Sequence, residues 1–404
     1  MTSLSPSRRS PSTFTRLLSL LTATALLPAC ARSGDQDGSA SRSDSRFSPP
    51  QESPAPPPLP ERDAGDPFGA PAEDAGYETC SKDSWCEVAS DDQPLPSIQA
   101  VWGFAPNDVW FAGEAGSTLH YDGSKLTRVE TGTKKSLRSL WGASPDDLWA
   151  VGADGALLHW NGSTWASSSK EFAASLYRVW GRDAHQIWAV GVPGTILRGD
   201  GTLDGWSPVA VSNPGSWAFS SIFVNAQDGW ATFAELTNCP GVAYFSASAN
   251  QPVTIQTIDS CTIYPGGLWS NRAGEAWMAG WSNDSLHQTQ TGIPAYIGNI
   301  VQLGVNESGA PFMKKTFTLE SHAQLRAIWG VSSQTGGEAE IWAVGDQANI
   351  VHRKDGNWSL MRTARNGRVS GCSLFGVWAS SASDVWTAGS CEAGRGIILR
   401  RTLP

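Results

Sequence analysis

Charged side chains are scarce in this chain, 17% of 404 residues, and positive ones are the scarcer: 29 Lys and Arg stand against 38 Asp and Glu, for a formal net charge of −9. A surface of that sign repels phosphate backbones and anionic headgroups, which argues against nucleic acid as a partner. Patterns of catalysis are missing as well. There is no G-x-S-x-G, no H-E-x-x-H and no phosphate-binding loop, so nucleophilic or metal-assisted hydrolysis has no support and no cofactor is expected. The seven cysteines include no CxxC pair, which argues against a zinc site or a thioredoxin-like redox centre. The apolar segment from Leu17 to Leu27 is too short to cross a bilayer as a mature helix. Helix formers are few beside 42 Gly, 25 Pro and 20 Trp, a balance that describes many short strands joined by turns.

What is present begins with an export signal over residues 1–29. A basic segment with Arg8, Arg9 and Arg16 precedes the apolar run, and Leu27-Pro28-Ala29-Cys30 follows it. That tetrapeptide resembles the lipobox of bacterial lipoproteins. The resemblance implies cleavage before Cys30 and attachment of diacylglyceryl and acyl chains such as palmitate to that residue. Membrane contact is then through the lipid anchor only. Ala31, where inner-membrane lipoproteins carry Asp, implies the outer membrane. Residues 30–76, rich in Ser, Pro, Asp and Gly, have almost nothing apolar to offset ordering entropy and read as a disordered tether with a mean reach of about 35 to 40 Å. The six remaining cysteines suit an oxidising compartment, and neighbours along the chain are the expected disulfides: Cys80 with Cys86, Cys239 with Cys261, Cys372 with Cys391.

The folded body, residues 77–404, is repetitive. "VWGFAPNDVWFAGEAGSTLHYDG" begins at Val101, "LWGASPDDLWAVGADGALLHWNG" at Leu140 and "VWGRDAHQIWAVGVPGTILRGDG" at Val179, and four looser copies start at Ile222, Leu268, Ile328 and Val377. Their second tryptophans are Trp110, Trp149, Trp188, Trp230, Trp277, Trp342 and Trp386, spaced by 39, 39, 42, 47, 65 and 44 residues. A period of that size with aromatic and Gly punctuation indicates a propeller or a solenoid. Each copy parses into four short strands with turn residues between them, which is the blade of an all-β, seven-bladed β-propeller. The seventh copy lacks an outer strand, whereas "DSWCEVAS" stands before the first copy and matches the outer strands "STWASSSK" and "GNWSLMRT". The segment around Trp85 is therefore expected to complete the last blade. Most tryptophans belong in the wedges between blades, and only Trp217 and Trp281 fall outside the repeat, which makes them binding candidates.

The repeat resembles Trp-rich propeller repeats of bacterial secreted proteins and, loosely, the photosystem II assembly-factor propellers and the BNR or Asp-box repeats of sialidase-like proteins. The resemblance implies the fold and carries no activity with it. His120, His159, His352 and His287 share one position at the end of third strands and diverge, so a structural role is expected and no metal site. Asp108, Asp147, Asp228, Asp384, Glu275 and Glu340 precede the second tryptophan by two residues. Six similar carboxylates favour a turn-ending role over catalysis, which needs two unlike environments. Cys372 and Cys391 lie nearly equidistant from the turn between Trp378 and Asp384, as a cross-strand disulfide requires. The fourth copy and the excursion from Trp281 to about Glu320 depart most from the repeat length, and long loops on a rigid scaffold are where binding is placed. The expectation is a monomeric, non-enzymatic scaffold without catalytic residues. Its partner is an envelope or extracellular protein; a glycan is the alternative, and a sialidase-like glycosidase or lyase a remoter one.

Overall fold

A computed structural model of the chain describes residues 85–88, 94–211, 217–235, 240–246, 255–256, 262–283, 296–319, 323–332, 337–361, 363 and 371–402. Those residues form 28 strands in seven four-stranded antiparallel sheets. The inner strands are β2 (Ile98–Ala105), β6 (Leu137–Ser144), β10 (Ser175–Asp183), β14 (Trp217–Val224), β18 (Tyr264–Arg272), β22 (Leu325–Val331) and β26 (Ser373–Ser381). Each inner strand touches the next, and β26 touches β2, so the ring is closed. This is a seven-bladed β-propeller.

Closure uses the predicted clasp. β1 (Trp85–Glu87) adds to β28 (Gly396–Thr402) as the fourth strand of the last blade, with Trp85 opposite Arg401 and Glu87 opposite Leu399. Trp85 is completely buried beside Trp342 of the preceding blade, Glu87 pairs with Arg395 at 3.2 Å, and the Gly396 amide donates to the Leu95 carbonyl at 2.8 Å. The ends of the propeller are thereby held by sheet hydrogen bonds, which leaves no long free edge in that blade.

The register explains the tryptophans. In six blades the first- and second-strand tryptophans face each other directly: Trp102 with Trp110, Trp141 with Trp149, Trp180 with Trp188, Trp269 with Trp277, Trp329 with Trp342 and Trp378 with Trp386; in the fourth blade Phe223 faces Trp230. The outer-strand tryptophans point to the opposite face of their sheets and cover the neighbouring blade. Trp165 meets Trp110 at 6.0 Å, Trp206 meets Trp149 at 5.3 Å and Trp358 meets Trp277 at 5.9 Å between ring centroids. Withdrawing such a ring from water contributes roughly 4–6 kcal/mol of transfer free energy before entropy is counted.

Three expectations are corrected in detail. The excursion after Trp281 is in large part sheet: β20 (Tyr296–Val305) and β21 (Pro311–Thr318) are long third and fourth strands joined by an Asn306 turn. The repeated carboxylates do not merely end turns. His120 Nε2–H donates to Asp108, His159 to Asp147 and His352 to Glu340, each at 2.8 Å, while the imidazole stacks on the second-strand tryptophan at 4.2 to 4.7 Å. Tyr244 and Arg400 donate to Asp228 and Asp384 in the equivalent positions. The carboxylates are thus tied across their own sheets. Finally, not every first-strand tryptophan is a wedge, as the axis makes plain. Of the cysteine pairs, Cys372–Cys391 is a disulfide flanking the Ser373–Ser390 register pair, and Cys86 is disulfide-bonded. Cys30, Cys80, Cys239, Cys261 and His287 lie outside the described residues.

Candidate functional site

The residue after the first-strand tryptophan decides where the ring of the preceding blade goes. Where it is Gly, the ring fits beneath it. A Cβ on Gly103 would lie 2.5 Å from the Trp378 ring and one on Gly330 would lie 2.6 Å from the Trp269 ring; Gly181 covers Trp141 in the same way. Trp141, Trp269 and Trp378 are accordingly buried wedges. Where the next blade offers Val224 or Ala379, a side chain closes that slot. Trp180 and Trp329 then turn to the axis, and their indole N–H groups donate to the Val224 and Ala379 carbonyls at 2.9 and 3.2 Å. Trp102 is displaced differently, because Phe104 already occupies the place over Gly142.

Trp102, Trp180 and Trp329 therefore converge, with ring centroids 5.6 to 6.0 Å apart. Coming from three different blades, they form an aromatic floor across the axis, and all three are half-buried. Phe223 extends it from the fourth blade, 4.5 Å from Trp180.

Two residues before the first-strand aromatic, six blades place a small residue: Ala100, Ser139, Ser221, Gly267, Ala327 and Gly376. Close approach of adjacent inner strands explains this; a Cβ on Gly267 would come within 2.9 Å of the Ile328 nitrogen. The third blade alone has Arg178. Arg178 lines a small axial cavity together with Ala100, Trp102, Ser139, Trp329 and Gly376, among others. No acidic side chain among the described residues lines that cavity. Among the described residues Arg178 has no hydrogen-bond or ion-pair partner, and burial pulls its guanidinium pKa down to about 10, which leaves it charged at neutral pH.

The neighbouring donors share this condition. The Trp102 indole N–H and Arg138 Nη1 are buried without acceptors. Arg138 precedes Ser139 and stacks on Tyr177 at 4.4 Å, and Tyr177 precedes Arg178 and is 40% exposed. Ser139 is already engaged: its hydroxyl accepts from the Val179 amide at 3.2 Å. Arg326 is also satisfied, by Asp346 at 2.6 Å. The axis thus presents surplus donors over apolar rings. It can bind an acceptor, but its lining includes no pair of carboxylates of the kind that glycoside hydrolysis uses.

The two binding candidates from the sequence are elsewhere. Trp281 lies in β19 (Glu275–Asn283) opposite Tyr264 and stacks on it, centroids 5.9 Å apart at 18°. Trp217 opens β14 opposite Glu235, and its side chain lies outside the described residues. Sequence reasoning missed Arg178, although an alignment of the seven copies displays it as the single large residue at a small-residue position.

Comparison with known proteins agrees with the fold. No protein-family model matches the chain, and no curated protein matches it. Among solved structures, YCF48 bound to D1 peptide has a TM-score of 0.58 and 12% identity, covering 80% of this chain and 96% of its own. YCF48 from Cyanidioschyzon merolae has a TM-score of 0.57 at 13% identity, covering 79% of this chain and 99% of its own. The WD40 propeller of Doa1 has a TM-score of 0.55 at 14% identity, covering 78% of this chain and 95% of its own. Likeness at such low identity extends to the fold and no further.

Proposed function

We propose that this chain is a non-enzymatic binding scaffold of the bacterial envelope, exported, anchored through acylated Cys30, and held off the membrane by residues 30–76 while the propeller engages a protein segment at its axial mouth. The observation that carries the reading is the axial constellation itself: a half-buried aromatic floor with unmatched donors and no carboxylate in its lining. A rigid ring makes such a floor available without reorganisation, which favours binding. The structural likeness to YCF48 bound to D1 peptide agrees with this reading. Trp281 offers less to a sugar than an isolated ring would, because Tyr264 already stacks on it.

The test is site-specific crosslinking in cells. A photoreactive side chain at Tyr177, beside the mouth, is expected to capture a protein; one at Leu360, 56% exposed on an outer strand, is not. Equal capture from both positions, or recovery of saccharide alone, would overturn the reading. Anchoring is checked separately. Intact mass should show acyl chains on the exported protein, and Cys30→Ser should release it into the soluble fraction.

A further inference from the structure

We propose that the axial cavity is a carboxylate site in which Arg178 holds one carboxylate group presented from the mouth. The proposal rests on the axial reading above and names the chemistry of what is recognised there.

Among the described residues Arg178 is the one charged group in the cavity lining, and it has no partner there. Arg178 is half-buried among indole rings without a counter-charge, at a position where six blades have Gly, Ala or Ser, so an anion presented from the mouth meets an unmatched guanidinium. Trp102, in the same lining, adds one further buried donor without an acceptor, and an acceptor-only group meets that lack.

The choice among anions follows from charge, shape and room. A planar guanidinium matches a planar carboxylate through two parallel hydrogen bonds. Phosphate carries close to two charges at neutral pH and is usually met by several cations. Here the second nearby arginine is stacked on Tyr177, the third is paired with Asp346, and the chain as a whole is negative. The enclosed space is about 20 Å³, room for about one water molecule, so only a single small group presented from the open mouth reaches into it. Trp102, Trp180 and Trp329 wall the site with low-polarity surface, which strengthens an ion pair formed there.

The two sources of a carboxylate, a peptide and a free small acid, are separated by the probes. The full chain is titrated with sodium acetate, with tetra-alanine bearing a free C-terminus, with tetra-alanine amide, and with phosphate and chloride at matched ionic strength. Indole fluorescence from the axial rings and thermal midpoint are the readouts. Saturable binding of acetate is expected, with Arg178→Ser and Arg178→Met each weakening it by about tenfold to a hundredfold. Tighter binding of the free-acid peptide than of acetate, with the amide inert, assigns the carboxylate to a peptide end; equal binding assigns it to a free acid. Unliganded Arg178→Ser should melt no lower than the parent, because the variant restores the residue that the second and fourth blades carry. Three results would sink the proposal: phosphate or chloride binding better than acetate, undiminished acetate binding by both variants, or a thermal midpoint of unliganded Arg178→Met and Arg178→Ser several degrees below the parent. Failure here with continued crosslinking from Tyr177 removes the carboxylate site and leaves the scaffold reading standing.

Discussion

Trp378 and Trp329 occupy the same position in consecutive blades, face a second-strand tryptophan in the same register, and end in different places. Trp378 is sealed under Gly103; Trp329 leans over the axis with its N–H on Ala379. The difference is written one blade further on, in whether the following residue has a Cβ. One residue type in a repeat therefore ends in two environments. Rings that find a glycine build the wall of the propeller, and rings that find a side chain are left at the axis.

The largest effect that would break this division is in stability. Trp378→Ala removes a ring that is 5% exposed and is expected to cost about 3–5 kcal/mol in chemical denaturation, whereas Trp329→Ala, half-buried, should cost about half of that or less. Equal losses would mean that the axial rings are core like the others. A smaller effect tests the cause directly. Gly181→Ala places a methyl group in the Trp141 ring and should cost about 1–3 kcal/mol, and Trp141→Phe in the same chain should recover part of it. Additive losses in the double-mutant cycle would show that the two residues do not compete for one slot.

The same contrast shows what can be read from the chain. Seven copies, their four-strand parsing, the Trp85 clasp and the Cys372–Cys391 bridge were legible because each depends on spacing and register along the sequence. The glycine rule was also present, but only in a comparison of consecutive copies, since it couples residues of neighbouring blades. Long strands β20 and β21 are hidden in the sequence because they lack the tryptophans of the repeat, although Asn306 to Gly309 makes an ordinary Asx turn between them. The roles of Asp108, Asp147 and Glu340 were visible as structural but not as pairings, because the partner histidine lies 12 residues away across the sheet. Arg178 escaped because unmatched donors become evident only when the surrounding strands are in place.

The smallest effects expected are in pH, and they compare the sixth blade with the fourth. In the sixth, burial holds His352 below the ordinary imidazole pKa despite the opposing pull of Glu340. The folded state then takes up its proton later than the unfolded chain does, so the contribution of His352 is full above the unfolded value of about 6.5 and declines as pH falls from there towards the folded value. In the fourth blade, burial and the Asp228 carboxylate push Tyr244 up to about 12. Its contribution is full below the unfolded value of about 10 and is lost as pH rises from 10 to 12. One blade is thus sensitive to acid and the other to alkali, although both place an acid–donor pair at the same point of the repeat. Replacing Tyr244 with Phe should flatten the alkaline limb of the thermal midpoint, and replacing His352 with Gln the acid limb, each by about one or two degrees. A Tyr244→Phe variant whose alkaline limb matches the parent would mean that this hydroxyl ionises as readily in the folded chain as in the unfolded one, and that the carboxylate beneath it contributes nothing to the difference between blades.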